Sequence, residues 1–151
     1  MNPGVADSAS WLPPHSGMQM AGQQLDWLQE QRQQALVHFA EVGLPGIRDE
    51  EWRYTNLRAL KSNVYAFSTP NPDADISLPA TDHPRLVIVD GFYREDLSSV
   101  GKLTGGVVFT SLAEILATRA ELVKAVFGSG LPKLQHGFSA LNTAYCQDGF
   151  V

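Results

Sequence analysis

The sequence predicts an α+β fold, in which an N-terminal helical segment is followed by a small mixed α/β part with short strands. Three observations predict it: a helical apolar pattern over 22–43, two short apolar runs at 86–89 and 107–109, and a second helical pattern that begins after Ser111. The chain has 151 residues, about one ordinary domain, and its 44% hydrophobic and 18% charged residues are typical of a soluble globular protein.

The first helix is predicted over 22–43. Apolar residues recur there at steps of three and four, which places them on one helical face. Gly43 supplies a left-handed cap and Pro45 prevents continuation, so the helix should end at Gly43. The apolar positions are Leu25, Leu28, Ala35, Leu36, Phe39 and Val42.

Over 47–60 we expect a short helical turn and then a second one capped by Thr55 or Asn56. Four prolines lie within 69–84, which predicts a linker or long surface loop. The predicted domain organisation is therefore a disordered leader at 1–20, a helical segment at 21–68, a Pro-rich linker at 69–84 and a small α/β part at 85–151.

The two apolar runs, 86–89 and 107–109, read as strands that are buried on both faces. Asp90-Gly91 ends the first run and Gly105-Gly106 precedes the second. The gap between the runs is too long for a tight hairpin and long enough for a crossover, so a parallel pair is possible.

Ser111 and Glu114 form a capping-box pattern at the start of a second amphipathic helix. Arg119 falls on its apolar side, so we expect the helix to break near Thr118 or Arg119 to extend its charge toward water. A last helix is predicted within 132–145, capped by Ser139.

Composition excludes several classes of function. Eleven Lys and Arg against sixteen Asp and Glu give a net charge of −5, which argues against a nucleic-acid partner. The first basic residue is Arg32, so no signal peptide is predicted, and no apolar run is long enough for a membrane span. Cys146 is the only cysteine, which indicates a reducing, cytoplasmic compartment and no iron–sulfur or structural zinc site within this segment.

Phosphate and metal motifs are weak. The segment 101–106 has the residue types of a phosphate-binding loop in the wrong order, so an ordinary turn is expected. The nearest soft pair, His136 and Cys146, would supply only two ligands, and we predict no metal site. The histidines, none of which lies four residues from another, are His15, His38, His83 and His136.

A nucleophilic triad could be imagined from Ser139, His136 and Asp148. No strand–Gly-x-Ser-x-Gly–helix context surrounds Ser139, and helix capping is the better role for it. Cys146 has no Lys or Arg near it in the sequence, so an inert, partly buried thiol is expected. We therefore assign no catalytic, cofactor-binding or metal-binding residue.

The acidic run Asp49-Glu50-Glu51 could serve acid–base chemistry, but Arg48 and Arg53 beside it favour ion pairing on a solvated face. Trp52 and Tyr54 could anchor a partner. The alternative that we favour has Trp52 packing on the long helix and Arg53 stacking on a ring.

Asp148-Gly149 is a turn signal, and Phe150-Val151 resembles the first step of a strand. From this we expect the chain to be the N-terminal piece of a longer protein. Two other interpretations remain from the residues alone: an independent small-ligand-binding α/β module or enzyme, and a dimerisation module built on the 22–43 helix.

Three groups of residues resemble the SufB/SufD family, the SufD-type scaffold subunits of the SUF iron–sulfur assembly system. The most specific group is Gly43-Leu44-Pro45, followed by Arg48 with Glu50-Glu51-Trp52-Arg53-Tyr54-Thr55 and Leu57. The other two are 86–92 with Leu97-Ser98, and a C-terminal set. Asp90-Gly91 departs mildly, since the family usually has Asn-Gly there. The C-terminal set is Phe138, Leu141-Asn142, Ala144 and Asp148-Gly149.

The resemblance implies that this segment leads into a right-handed β-helix and that the full-length protein pairs with SufB-like subunits and a SufC-like ATPase. It places the residues of cluster building outside this segment, so no cofactor and no enzymatic activity are expected here. The function it implies is a scaffold role in iron–sulfur cluster assembly through protein partners.

Overall fold

The computed structural model describes residues 18–63, 65–101, 103–129 and 136–151, and this part contains five α-helices and one two-stranded antiparallel sheet. The α+β class predicted from the sequence is confirmed, whereas the β-helix stays a prediction. Most of the predicted leader and positions 132–135 of the predicted last helix lie outside the described residues. The elements are α1 (Asp26–Val42), α2 (Arg58–Lys61), β1 (Ile88–Val89), β2 (Phe92–Tyr93), α3 (Leu112–Thr118), α4 (Ala120–Lys124) and α5 (Gly137–Ala144).

The described residues form two compact units, each assembled from separate stretches of the chain. The first unit contains Gln23–Phe67 and Val126–Cys146, and it holds α1, α2 and α5. The second contains Met20–Gly22, Ser68–Ala125 and Gln147–Val151, and it holds the hairpin, α3 and α4.

Helix α1 ends where the sequence predicts. Gly43 adopts φ 65°, and its N–H donates to the Phe39 carbonyl at 2.8 Å. A positive φ is easily reached only by glycine, so this residue type fixes the end of the helix. The predicted buried face is partly wrong, because Val42 is exposed and Arg32 is buried instead.

Helix α5 packs directly against α1 in the first unit. Phe39 and Ala140 are buried together, with Leu44 and Leu141 packed against them. A Cβ on Gly137 would lie 1.9 Å from the carbonyl oxygen of Gly43, so only glycine permits this approach of the two backbones. Further ring contacts in the same unit join Trp27 to Phe127 and Phe67 to Tyr145.

Strands β1 and β2 form a tight antiparallel hairpin, with Ile88 opposite Tyr93 and Val89 opposite Phe92. The two turn residues, Asp90 and Gly91, have φ of 52° and 90°, as a two-residue type I′ turn requires. Within the described residues 107–109 belongs to no strand, and Val107 is 54% exposed. The prediction of a second buried strand there, and with it the possible parallel pairing with 86–89, is therefore wrong. Asp-Gly between apolar residues is itself a hairpin signal, and it pairs β1 with its nearest neighbour in sequence.

The capping box at α3 is confirmed on its serine side, since Ser111 Oγ accepts the N–H of Glu114 at 3.1 Å. The break expected near Thr118 is also present, because α3 ends there and Arg119 adopts φ −149° and ψ 50° before α4 begins. The buried side chains of these helices are Leu112, Ile115, Leu116 and Val123.

The N-cap residues of two further helices differ from the predicted ones. The N-cap position of α2 is Leu57 and not Thr55 or Asn56, although the Asn56 carboxamide oxygen accepts the N–H of Arg58 at 2.9 Å from one position earlier. Ser139 does not cap α5, because that helix begins at Gly137 with His136 in the N-cap position. Ser139 lies in the first turn, where its carbonyl accepts from the Thr143 hydroxyl at 3.1 Å.

Candidate functional site

Two neighbouring hollows in the first unit are built from the segment between α1 and α2. The Trp52 pocket, of about 260 Å³, is lined by Pro45, Asp49, Glu50, Glu51, Trp52 and His136. The Ile47 pocket, of about 330 Å³, is lined by Pro45, Gly46, Ile47, Thr55, Asn56, Leu57 and Arg58.

Local hydrogen bonds give this segment its shape. The Asp49 carboxylate accepts the N–H of Gly46 at 2.6 Å, and the N–H of Asp49 donates back to the Gly46 carbonyl at 3.0 Å. The 3₁₀ turn Glu50–Trp52 follows, with the N–H of Trp52 donating to the Asp49 carbonyl at 2.9 Å. These short-range bonds place the acidic run and Trp52 on one compact turn.

Trp52 is the aromatic wall of the pocket that carries its name. Its ring centroid lies 4.8 Å from that of Phe138 and 5.9 Å from that of His136, and the His136 ring meets it edge to face at 68°. Phe138 belongs to α5 and His136 directly precedes it. These two ring partners of Trp52 come from α5 and from the residue that precedes it, whereas the sequence favours packing of Trp52 on the long helix α1.

The acidic run faces solvent, as predicted. The Glu50 carboxylate lies 3.7 Å from the Arg53 guanidinium, and both side chains are largely exposed. The Arg53 guanidinium also lies over the Tyr54 ring, 4.7 Å from its centroid, and donates to the Tyr54 hydroxyl. The predicted ion pair and the predicted stacking of Arg53 on a ring are both confirmed.

Apolar side chains are unusually exposed at this surface. Ile47 is 73% exposed and Tyr54 is 87% exposed. An aromatic wall, an acidic rim and protruding apolar side chains form the kind of surface that receives an amphipathic or basic side chain of another protein.

The three residues of the imagined nucleophilic triad, Ser139, His136 and Asp148, make different local contacts. Ser139 Oγ and His136 Nε2 are 3.5 Å apart, at the limit of a hydrogen bond. Asp148 is a backbone acceptor: its carboxylate accepts the N–H groups of Tyr93 at 3.0 Å, Ala113 at 2.9 Å and Gly149 at 2.9 Å. Its functional group is thus engaged in tying β2 to the start of α3.

The residues that were weak candidates for a metal site or a phosphate-binding loop lie only partly in the described part of the chain. Within the described ranges no group of three or more His, Cys, Asp and Glu side chains could hold a metal ion, and His15 lies outside those ranges. The segment 101–106, whose Lys102 is also outside the described residues, contains a turn in which the N–H of Val107 donates to the Thr104 carbonyl at 3.1 Å.

Arg32 is a charged residue whose burial is not predicted from the sequence. It is 1% exposed, and its guanidinium donates to the backbone carbonyl of Cys146 at 2.7 Å across 114 residues of chain. Burial lowers the pKa of Arg32 from its ordinary value, and the adjacent Cys146 acts in the opposite direction. The one available signal was that Arg32 lies between Leu28 and Leu36 on the apolar face.

Comparison with known proteins identifies the protein family to which the chain belongs. A family model described as "SufBD protein N-terminal region" matches residues 15–151, nearly the whole chain. The chain belongs to the SufBD family, as its N-terminal region, and the resemblance seen in the sequence is confirmed.

A curated relative supports this assignment. The chain is 29% identical, over 130 residues, to an iron-sulfur cluster assembly SufBD family protein of Synechocystis sp.. The match covers 82% of this chain and 28% of the relative, so the chain spans well under half of that protein's length. In the part of the chain that the structure describes, none of the helices combines the length and apolar character needed to cross a membrane.

Proposed function

We propose that this chain is the N-terminal part of a SufD-like scaffold subunit that takes part in iron–sulfur cluster assembly through protein partners. The observation that carries the proposal is the family match over residues 15–151. The related protein of Synechocystis sp. is described as an iron-sulfur cluster assembly protein, and the proposal transfers that role to the full-length form of this chain.

The role of this segment in the proposal is packing and contact, without chemistry of its own. The side chains that could have formed a triad have local structural partners, with Asp148 holding three backbone N–H groups. Exposed Ile47 and Tyr54 beside the Trp52 pocket supply the kind of surface that a protein partner uses. The partners proposed are SufB-like and SufC-like subunits, and a cytoplasmic location stays a prediction.

The test is co-expression of the full-length gene with SufB-like and SufC-like proteins from the same source, followed by purification through a tag on one of them. We expect a stable complex that contains all three chains after size-exclusion chromatography. A tagged unrelated protein of similar charge is the control. Elution of the full-length protein apart from both partners, at micromolar concentration and moderate salt, would refute the proposal.

The alternative function is an independent small-ligand module or enzyme. One observation favours it, namely that the Trp52 pocket combines an aromatic wall with His136 and carboxylates. Thermal-shift screening of the protein against nucleotides, metal ions and small cations separates the two. A clear, saturable rise in melting temperature that Trp52→Ala abolishes would support the alternative.

A further inference from the structure

The last residues of the chain form an antiparallel pair with the segment that precedes α3. The N–H of Thr110 donates to the Val151 carbonyl at 3.0 Å, and the N–H of Val151 donates to the Thr110 carbonyl at 2.9 Å. Ser111 lies opposite Phe150 in an antiparallel bridge. The two reciprocal bonds between Thr110 and Val151 fix the register of the pair. In this register each residue before Thr110 lies opposite one residue after Val151.

This register is anchored on the α3 side of the pair. The N–H of Leu112 donates to the Gly149 carbonyl at 3.0 Å, and Asp148 Oδ1 accepts both the N–H of Ala113 and that of Gly149, each at 2.9 Å. A slip by one residue would break all of these bonds together. The direction of the strand at Val151 is therefore set by the start of α3.

On the other side of the pair the backbone is open. The run Val107-Val108-Phe109 precedes Thr110, and within the described ranges no backbone hydrogen bond joins Val108 or Phe109 to another segment. Val107 is 54% exposed and Phe150 is 75% exposed. A β-branched and aromatic run with an unpaired edge is a template for another strand.

We propose that the residues directly after Val151 in the full-length protein continue this strand and pair antiparallel with 107–109. The matched relative is much longer than this chain, and a covalently continuous strand needs no further loop closure to reach the open edge. Continuing the register makes Phe109 the partner of the first residue after Val151, in a non-hydrogen-bonded pair. Val108 becomes the next hydrogen-bonded partner.

The proposed strand pairing would have a structural effect that is separate from the proposed scaffold role. A strand that is continuous with the following part of the protein, and fixed in register by Asp148 and the start of α3, would set the direction in which that part leaves the second unit. The segment 107–111 would then act as the docking edge for the rest of the same chain. The backbone pairing would form in this way whichever partners the protein binds.

Disulfide trapping in the full-length protein tests the register. In a Cys146→Ser background, cysteine is placed at the first residue after Val151 and combined with either Phe109→Cys or Val108→Cys. Non-hydrogen-bonded antiparallel pairs bring Cα atoms to about 4.5 Å, which suits a disulfide, whereas the side chain of Val108 points to the opposite face. We expect the Phe109→Cys protein to form the intramolecular disulfide at least about tenfold faster, as read by mass spectrometry of non-reduced peptides.

Hydrogen exchange of the unmodified full-length protein is a second test that needs no variant. The Val108 N–H should exchange slowly, because it faces the added strand, and the Phe109 N–H should exchange faster, because it faces away. Equal exchange at the two amides, equal trapping in the two cysteine proteins, or crosslinks only between separate molecules would each overturn the proposal.

Discussion

At the scale of single residues, Asp148 has a structural role that its position in the sequence does not predict. A carboxylate in a loop near a histidine and a serine suggests catalysis. In the structure the same carboxylate accepts the backbone N–H groups of Tyr93, Ala113 and Gly149. Ionised carboxylates are strong acceptors of backbone N–H groups near a helix start, so the residue type serves structure here.

Replacement of Asp148 tests this structural role. Asp148→Asn exchanges one of the two acceptor oxygens for an NH₂ group and removes the charge. We expect the free energy of unfolding to fall by about 2–3 kcal/mol, as measured by urea titration. Asp82→Asn, at an exposed loop position, is the control and should change it by less than about 0.5 kcal/mol. Equal stability of the two proteins would contradict the assigned role.

Arg32 is the second residue whose environment decides its role. Arg32→Ala removes a buried side chain and the donor to the Cys146 carbonyl. Because the change leaves both a cavity and a lost hydrogen bond, we expect a loss of about 3 kcal/mol in the free energy of unfolding.

The matched control for Arg32 lies one residue further along α1. Gln33 is exposed, and Gln33→Ala keeps helix propensity while touching no buried group. Its unfolding midpoint in urea should stay near that of the unaltered protein. If Arg32→Ala unfolds at the same midpoint as Gln33→Ala, the buried guanidinium does not stabilise the first unit.

At the scale of elements, the contact between the end of α1 and the start of α5 depends on two glycines. Gly43 supplies a positive φ that ends α1, and Gly137 leaves room for the Gly43 carbonyl. The same contact positions Phe138, whose ring packs on Trp52. The Trp52 pocket therefore depends on helix packing as well as on its own turn.

Gly137→Ala tests this helix contact. The added Cβ would lie 1.9 Å from the Gly43 oxygen and 2.8 Å from its carbon, both backbone atoms, so the helices must move apart. We expect a loss of about 3 kcal/mol or more in the free energy of unfolding, together with a change in Trp fluorescence. Gly46→Ala is the control, because a Cβ there meets nothing within 4 Å. Similar melting temperatures for both proteins would show that the contact is not tight.

At the scale of the whole molecule, the described residues divide into two units, and the family assignment rests on a match that spans both of them. The sequence predicted the family through the run Glu50-Glu51-Trp52-Arg53-Tyr54-Thr55, which now forms the turn beside the Trp52 pocket. The sequence also predicted that this segment has no metal site, and the absence of a metal site stays a prediction.

Chelation tests the metal prediction. The chain has a single cysteine, and none of its four histidines lies four residues from another, so we predict that its folding does not depend on a bound ion. We expect incubation with EDTA to leave the melting temperature unchanged within about 1 °C, since metal-dependent folds lose their structure on chelation. A known zinc-dependent protein treated in parallel is the positive control. A fall of several degrees, reversed by added zinc or iron, would contradict the prediction.

Features that depend on a few neighbouring residues can be read from the residue types alone. Gly43 ends α1 and Ser111 caps α3. A break near Thr118 was one of two expectations for Arg119, and stacking of Arg53 was expected on a ring that the structure identifies as Tyr54. Each follows from backbone freedom, side-chain hydrogen bonding or charge within one or two turns of chain, and such preferences are readable in the residue types.

Contacts between distant segments become visible only in the folded protein. Arg32 and Cys146 are 114 residues apart, and no spacing rule indicates that a guanidinium will meet that carbonyl. The pairing of Trp52 with Phe138, and of Asp148 with Tyr93, is equally non-local. Such contacts depend on how whole faces pack, and packing is a property of the folded chain rather than of any short stretch of it.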